Sequence, residues 1–111
     1  MIDHKITVRD RVISIDNPDI VKDSIDSDRL ILDLDDDWND LEKIFVVLGV
    51  NQHSVVAVYD SEEDLMFPAS LARSLGPVGV TIVGKNGDQT QITRRASRLI
   101  RVVPRGHLMV L

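Results

Sequence analysis

Six carboxylates surround the chain's single tryptophan in Leu30–Ile44, LILDLDDDWNDLEKI. Acids at that density can hold a cation, act as a general acid–base pair, or keep a strand end in water. Asp33, Asp35 and Asp37 have the D-x-D-x-D spacing that opens a calcium-binding EF-hand loop. The sixth position should then be the glycine of the sharp turn and is Trp38; the twelfth should be a bidentate glutamate and is Ile44. Alternation along a strand also sets Asp33 and Asp35 side by side rather than around one ion. Acid–base chemistry would need a cleft that separates two carboxyl pKa values, which an exposed turn does not offer. The expectation is a solvated corner with no metal and no cofactor. Leu30, Leu32, Leu34 and Leu41 face the core there, and Trp38 folds back over its edge.

His4, His53 and His107 are far apart, with no H-x-x-H or H-E-x-x-H spacing, and read as incidental surface or strand residues. No G-x-S-x-G places a serine on a nucleophile elbow, and the glycines of GPVGVTIVGKNG lack the G-K-[ST] that cradles phosphates. Without a cysteine the chain has no thiolate nucleophile, thiolate zinc site or disulfide. No catalytic constellation emerges, so the chain is not expected to be an enzyme.

Thr93–Arg105, TRRASRLIRVVPR, holds five arginines and no acid. It reads as a strand with one charged face, as a protein contact through Arg94, Arg95, Arg98 and Arg101, or, least well, as a nucleic-acid surface, because single-strand binders also stack bases on aromatics and none lies here. RRAS also matches a basic-directed kinase site, a pattern common by chance. Sugar recognition would rest on Trp38, Phe45, Tyr59 and Phe67, of which three occupy strand-like contexts where burial is the default.

The elements that position these residues are short strands. Lys5–Val8 and Arg11–Ile15 alternate, and Asn17-Pro18 ends the run, since proline cannot donate to a ladder. Residues 19–28 suggest a loop or an edge strand. Arg29–Asp35, Leu41–Val50, Ser54–Tyr59, a brief Leu65–Phe67, Val78–Val83, Gln89–Thr93 and Arg98–Val103 complete the set. Pro68 opens one short helical turn near 68–75, with Gly76 placed as its C-terminal cap and Pro77 forbidding continuation. Asn86-Gly87 supplies the positive φ angles of a type I′ hairpin turn. Eight or nine such strands imply an all-β antiparallel sandwich or barrel, forming one domain over residues 1–111.

Composition agrees. Hydrophobic residues make up 43% and aromatics only 4%, so valine, isoleucine and leucine must build the core, and β-branched side chains favour strands. The N-terminal MIDHKITVRD lacks a signal-peptide core, and no apolar run approaches the ~20 residues of a membrane span. A soluble cytoplasmic product is expected. Residues 1–64 hold seventeen of the eighteen acids against six lysines and arginines, a net charge of −11; residues 65–111 hold seven cations against Asp88, a net charge of +6. The halves either interleave and neutralise each other or form opposed faces suited to head-to-tail association.

In order, the features are a hairpin KITVRDRVISIDNPDIVKDS, then LILDLDDDWNDLEKIFVVLG, a short strand pair, FPASLARSLGPVGVTIVGKNGDQTQITRRAS and a closing LIRVVPRG. This order resembles the N-terminal β-sandwich domain of upper baseplate proteins from phages of Gram-positive bacteria. That family approximates the pattern L-x-F-x-x-D-x-x-W-x-x-L-x-K, and Leu32, which stands at its phenylalanine, Asp35, Trp38, Leu41 and Lys43 fall into comparable places. Phe67-Pro68, Leu75-Gly76-Pro77, Val80–Gly84 and Ile92-Thr93 resemble its later segments. The resemblance implies a virion structural role, in which the domain fixes a larger protein to the tail or baseplate and oligomerises there. Other virion proteins and further copies of the chain are the expected partners, with no membrane involved. Family members usually continue into coiled coils and receptor-binding modules, whereas this chain stops at Leu111, so either the anchoring domain alone or a small stand-alone virion protein is expected. The alternative is a small carbohydrate-binding β-sandwich. The apolar end HLMVL, with Leu108, Val110 and Leu111, is expected to be covered by another subunit or a continuation.

Overall fold

The computed structural model describes residues 1–50 and 52–106. The described residues form ten strands: β1 (Ile2–Arg9), β2 (Val12–Ile15), β3 (Asp19–Val21), β4 (Asp28–Leu34), β5 (Lys43–Val50), β6 (His53–Tyr59), β7 (Leu65–Met66), β8 (Gly76–Asn86), β9 (Gln89–Ile92) and β10 (Ala96–Val103). They build two sheets packed as a β-sandwich. One runs β2-β1-β4-β7; the other runs β3-β10-β8-β5-β6, with β9 also paired to β8. Among the described residues no helix is long and apolar enough to cross a membrane.

The period-2 pattern explains the packing. Ile6 and Val8 on β1, Ile13 on β2 and Leu30 and Leu32 on β4 point inward from the smaller sheet. Ile20, Val46, Leu48, Val78, Val80, Ile82, Ile100 and Val102 meet them from the larger one. Leu34 joins this core as a half-buried residue. Trp38, Leu41, Phe67, Leu71 and Ala72 close its ends from the connections.

The ladders are not all antiparallel. β1 and β4 run parallel in register from Ile2↔Asp28 to Val8↔Leu34, and β3 runs parallel to β10. The polar segment 19–28 explains both. Its start supplies an edge strand to the larger sheet, after which the chain returns to the free side of β1 in the direction β1 itself runs.

Two local expectations change. The turn after Pro68 is one 3₁₀ turn, Ala69–Leu71; Gly76, at φ +125°, opens β8 beside Val102 instead of capping a helix. Asn86 pairs with Gln89, which leaves Gly87-Asp88 as the loop, with positive φ at Gly87 alone. That is the type II′ pattern. The type I′ pattern falls at Asp10-Arg11, between Arg9↔Val12, where φ is 51° and 65°.

Candidate functional site

The acidic corner is built by three segments. β4 ends at Leu34, Asp35 adopts extended backbone, and the 3₁₀ turn Asp36–Trp38 swings the tryptophan under the larger sheet, where it is 2% exposed. It fits there because Gly84 on β8 has no side chain. A Cβ at Gly84 would collide with Leu41 Cδ1 and lie 3.0 Å from Trp38 Cζ3. Trp38 Nε1, Asp35 Oδ1 and Gln91 Nε2 are buried without a hydrogen-bond partner among the described residues.

Asp35 does converge with other acids, contrary to the side-by-side expectation. The hairpin turn after β1 brings Asp10 beside it, and Asp10, Asp35 and Asp37 each offer an oxygen within 4.8 Å of the others. The partner that spacing missed comes from another strand pair. Three carboxylates are a hard-oxygen set of the kind calcium or magnesium takes, though only part of calcium's six to eight ligands. Asp35 Oδ2 already accepts the Asp10 backbone N–H at 2.9 Å, so the contact also pins the turn. Asp33 lies on the opposite face of β4 from Leu32 and is engaged by Arg9 Nη2 at 3.1 Å and Lys5 Nζ at 3.6 Å.

His4 corrects the reading of the histidines as incidental. It is 1% exposed, in phase with Ile6 and Val8, and its Nε2 lies 2.8 Å from Oδ1 of Asp28, itself buried. Its Nδ1 lies 2.5 Å from the Asn17 carbonyl oxygen. A carbonyl only accepts, so Nδ1 donates to Asn17, and Nε2 faces the Asp28 carboxyl. The dyad is sealed from solvent and holds the start of β1 to β4 and to the β2–β3 connection. Legible signals were present: both residues fall on the inward phase of their strands.

Nearby, Arg29 joins three strands. Its Nε and Nη2 donate to the Asp3 carboxylate on β1, at 2.8 and 3.0 Å, and Nη1 donates to Asp64 Oδ1, just before β7, at 3.1 Å. These bonds hold the Asp3 carboxyl below the usual carboxylate range and push the guanidinium further up.

The arginine segment is dispersed rather than gathered into one face. Arg101 is tied to Asp19 of the neighbouring β3 at 2.8 Å, and Arg105 lies 3.6 Å from Asp23. The two charge halves therefore interleave along this edge. Arg98 sits at φ 68° where the β8–β10 register shifts. The backbone N–H of Arg94 donates to Arg11 O. Among the described residues no carboxylate lies within 4 Å of Arg94, Arg95 or Arg98. Leu108, Val110 and Leu111 lie outside the described residues.

The feature that the sequence reading did not single out is the outer face of the larger sheet. Cross-strand register aligns Val58, Phe45, Val83 and Ile92 in one row, and Val56, Val47 and Thr81 in the next. Val56, Val58 and Ile92 are 60%, 64% and 50% exposed. Beyond them the facing pair Gly49↔Gly79 leaves a depression of about 300 Å³, lined also by Val47, His53, Ser54 and Arg95. Its signal was the unbroken apolar alternation of β5 and β6, which serves two faces rather than one. The aromatics form no common platform: Trp38 and Phe67 are buried, Phe45 lies on the outer face, and Tyr59, paired with Ile44, points inward.

Single-sided apolar burial, a sealed dyad and an acidic corner are thus combined with an apolar sheet face that is exposed among the described residues. Compared with known proteins, the chain matches no family model, no curated protein and no solved structure.

Proposed function

We propose that the chain is a non-catalytic assembly module acting through protein–protein contacts, and, by its resemblance to upper baseplate domains, a component of a phage tail or baseplate. The observation that carries the reading is the pair of apolar rows on the outer face of the larger sheet, with Val56 and Val58 at least 60% exposed. Contiguous exposed apolar surface rimmed by polar groups marks interaction sites, because leaving it in water forgoes burial worth roughly 25 cal/mol per Å². The sugar-binding alternative has less support, since no two aromatics share an exposed face.

Mass spectrometry of purified phage particles, induced from a strain carrying the gene, tests the reading. The chain is expected in the tail fraction at a stoichiometry matching a tail symmetry, and deletion of the gene should give particles with incomplete tails. Complete, infective particles that lack the chain would overturn it.

A further inference from the structure

We infer that β6 is a homodimerisation edge, pairing antiparallel with β6 of a second copy about a two-fold axis at Val56, so that the larger sheets of the two copies become continuous. The inference rests on the assembly reading above and names its first partner.

Edge strands present unpaired N–H and C=O groups, and folded chains protect them with brevity, charge, proline or bulges. The other outermost strands follow this rule: β2 has four residues, β3 three and β7 two. β6 does not. Its seven residues, HSVVAVY, contain no lysine, arginine, aspartate, glutamate, proline or glycine. Its register with β5 is unbroken from Ile44↔Tyr59 to Val50↔His53. Among the described residues, its other side makes no backbone hydrogen bond.

Charge selects a second copy in antiparallel orientation as the occupant. Directly after Tyr59 comes the exposed acidic turn Asp60, Glu62 and Glu63. At the opposite end, exposed Arg95 lines the depression beside His53 and Ser54. A two-fold axis at Val56 sets Val56 against itself, Ser54 against Val58, and Asp60 against Gln52 of the second copy. Each acidic turn is then set against the end of the other copy's β6 where Arg95 lines the depression with His53 and Ser54, twice per dimer, while the uncharged strand centres meet without repulsion. Antiparallel pairing joins residues of like face, so the row through Val56 continues into the same row of the second sheet, and the row through Val58 runs into the row of Ser54, Gly49 and Gly79. A parallel arrangement would oppose acidic turn to acidic turn.

The chain has no cysteine, so Val56→Cys provides a clean reporter. Across a two-fold strand pair, the two Cα atoms at this position fall about 4.5–5.5 Å apart, within disulfide range. Mild oxidation should convert most of the Val56→Cys protein to a covalent dimer, and a control at exposed Ser27 (Ser27→Cys) should remain monomeric. Light scattering should give a concentration-dependent dimer for the unmodified chain, weakened about tenfold by Arg95→Glu or by Glu63→Lys, with recovery in the double variant. Amide exchange at residues 54–58 should slow as the dimer fills. Equal cross-linking at positions 56 and 27 would overturn the inference. So would a monomer at all concentrations, including one whose β6 amides are already protected and therefore covered within the chain. Such a monomer found in tail particles would leave the assembly reading standing, whereas a dimer absent from particles would remove that reading and keep the dimer.

Discussion

At the scale of single residues, the fully enclosed histidine His4 is a structural tie. His4 and Asp28 begin the inward rows of two parallel strands, and each satisfies the other's polar atoms where neither meets water. Removing one partner strands the other, which costs far more than the pair itself contributes. Asp28→Ala should therefore lower stability by about 3–5 kcal/mol, measured by urea unfolding. Asp33→Ala, removing a carboxylate that is 37% exposed on the other face of the same strand, should cost at most about 1 kcal/mol. Comparable losses at both positions would mean that His4 does not depend on Asp28. The inward phase of both residues was legible in the sequence. Their partnership was not, because it spans twenty-four positions and depends on β4 returning parallel to β1.

At the scale of elements, nearly every strand was legible from alternation, and the Leu30–Leu41 signature located the corner that Trp38 closes. Turn chemistry was less so. Asn86-Gly87 has the composition of a type I′ turn, yet the β8–β9 register shifts the loop to Gly87-Asp88; Asp10-Arg11 lacks glycine and takes that conformation nonetheless. Two hydrogen bonds hold Asp10-Arg11 there, from the Asp10 N–H to Asp35 and from the Arg94 N–H to the Arg11 carbonyl. Left-handed backbone costs an L-residue roughly 1–2 kcal/mol, and both bonds survive replacement of the Arg11 side chain. Arg11→Gly should accordingly stabilise the fold by about 1 kcal/mol, seen as a rise in Tm. Gly84 shows the opposite constraint, because its missing side chain is what admits Trp38 and Leu41. Gly84→Ala should destabilise by about 1–3 kcal/mol and shift tryptophan fluorescence to the red, as the ring is pushed toward solvent. An unchanged emission maximum would mean that the corner accommodates the methyl group by other movements.

At the scale of the whole molecule, the two charge halves meet where β10 and the residues after it lie against β3, through Asp19–Arg101 and Asp23–Arg105, whereas the Arg29 junction joins Asp3 and Asp64 within the acidic half. The sequence showed the imbalance, but interleaving depends on strand order, which local pattern does not encode. The Arg29 junction makes stability depend on acid in a definite direction. Its guanidinium is pushed up and stays cationic at every accessible pH, so the titration falls on Asp3. Asp3 has its carboxyl lowered by the Arg29 hydrogen bonds. A carboxyl that is more acidic in the folded chain contributes stability above its unfolded pKa, near 3.9, and loses it as pH falls through the folded value. Asp3→Asn should thus be less stable than the parent at pH 7. The difference should narrow below about pH 4 and vanish once Asp3 is protonated in both folded and unfolded chains. Because Asp3 and Arg29 remain partly exposed, added salt should shrink the neutral-pH difference as well. Urea unfolding of both proteins at pH 7 and pH 3, at low and high salt, reads all of these. A difference of constant size across pH would show that Asp3 acts through packing alone, and that strands β1 and β4 are joined at this end by the His4–Asp28 dyad without help from the ion pair.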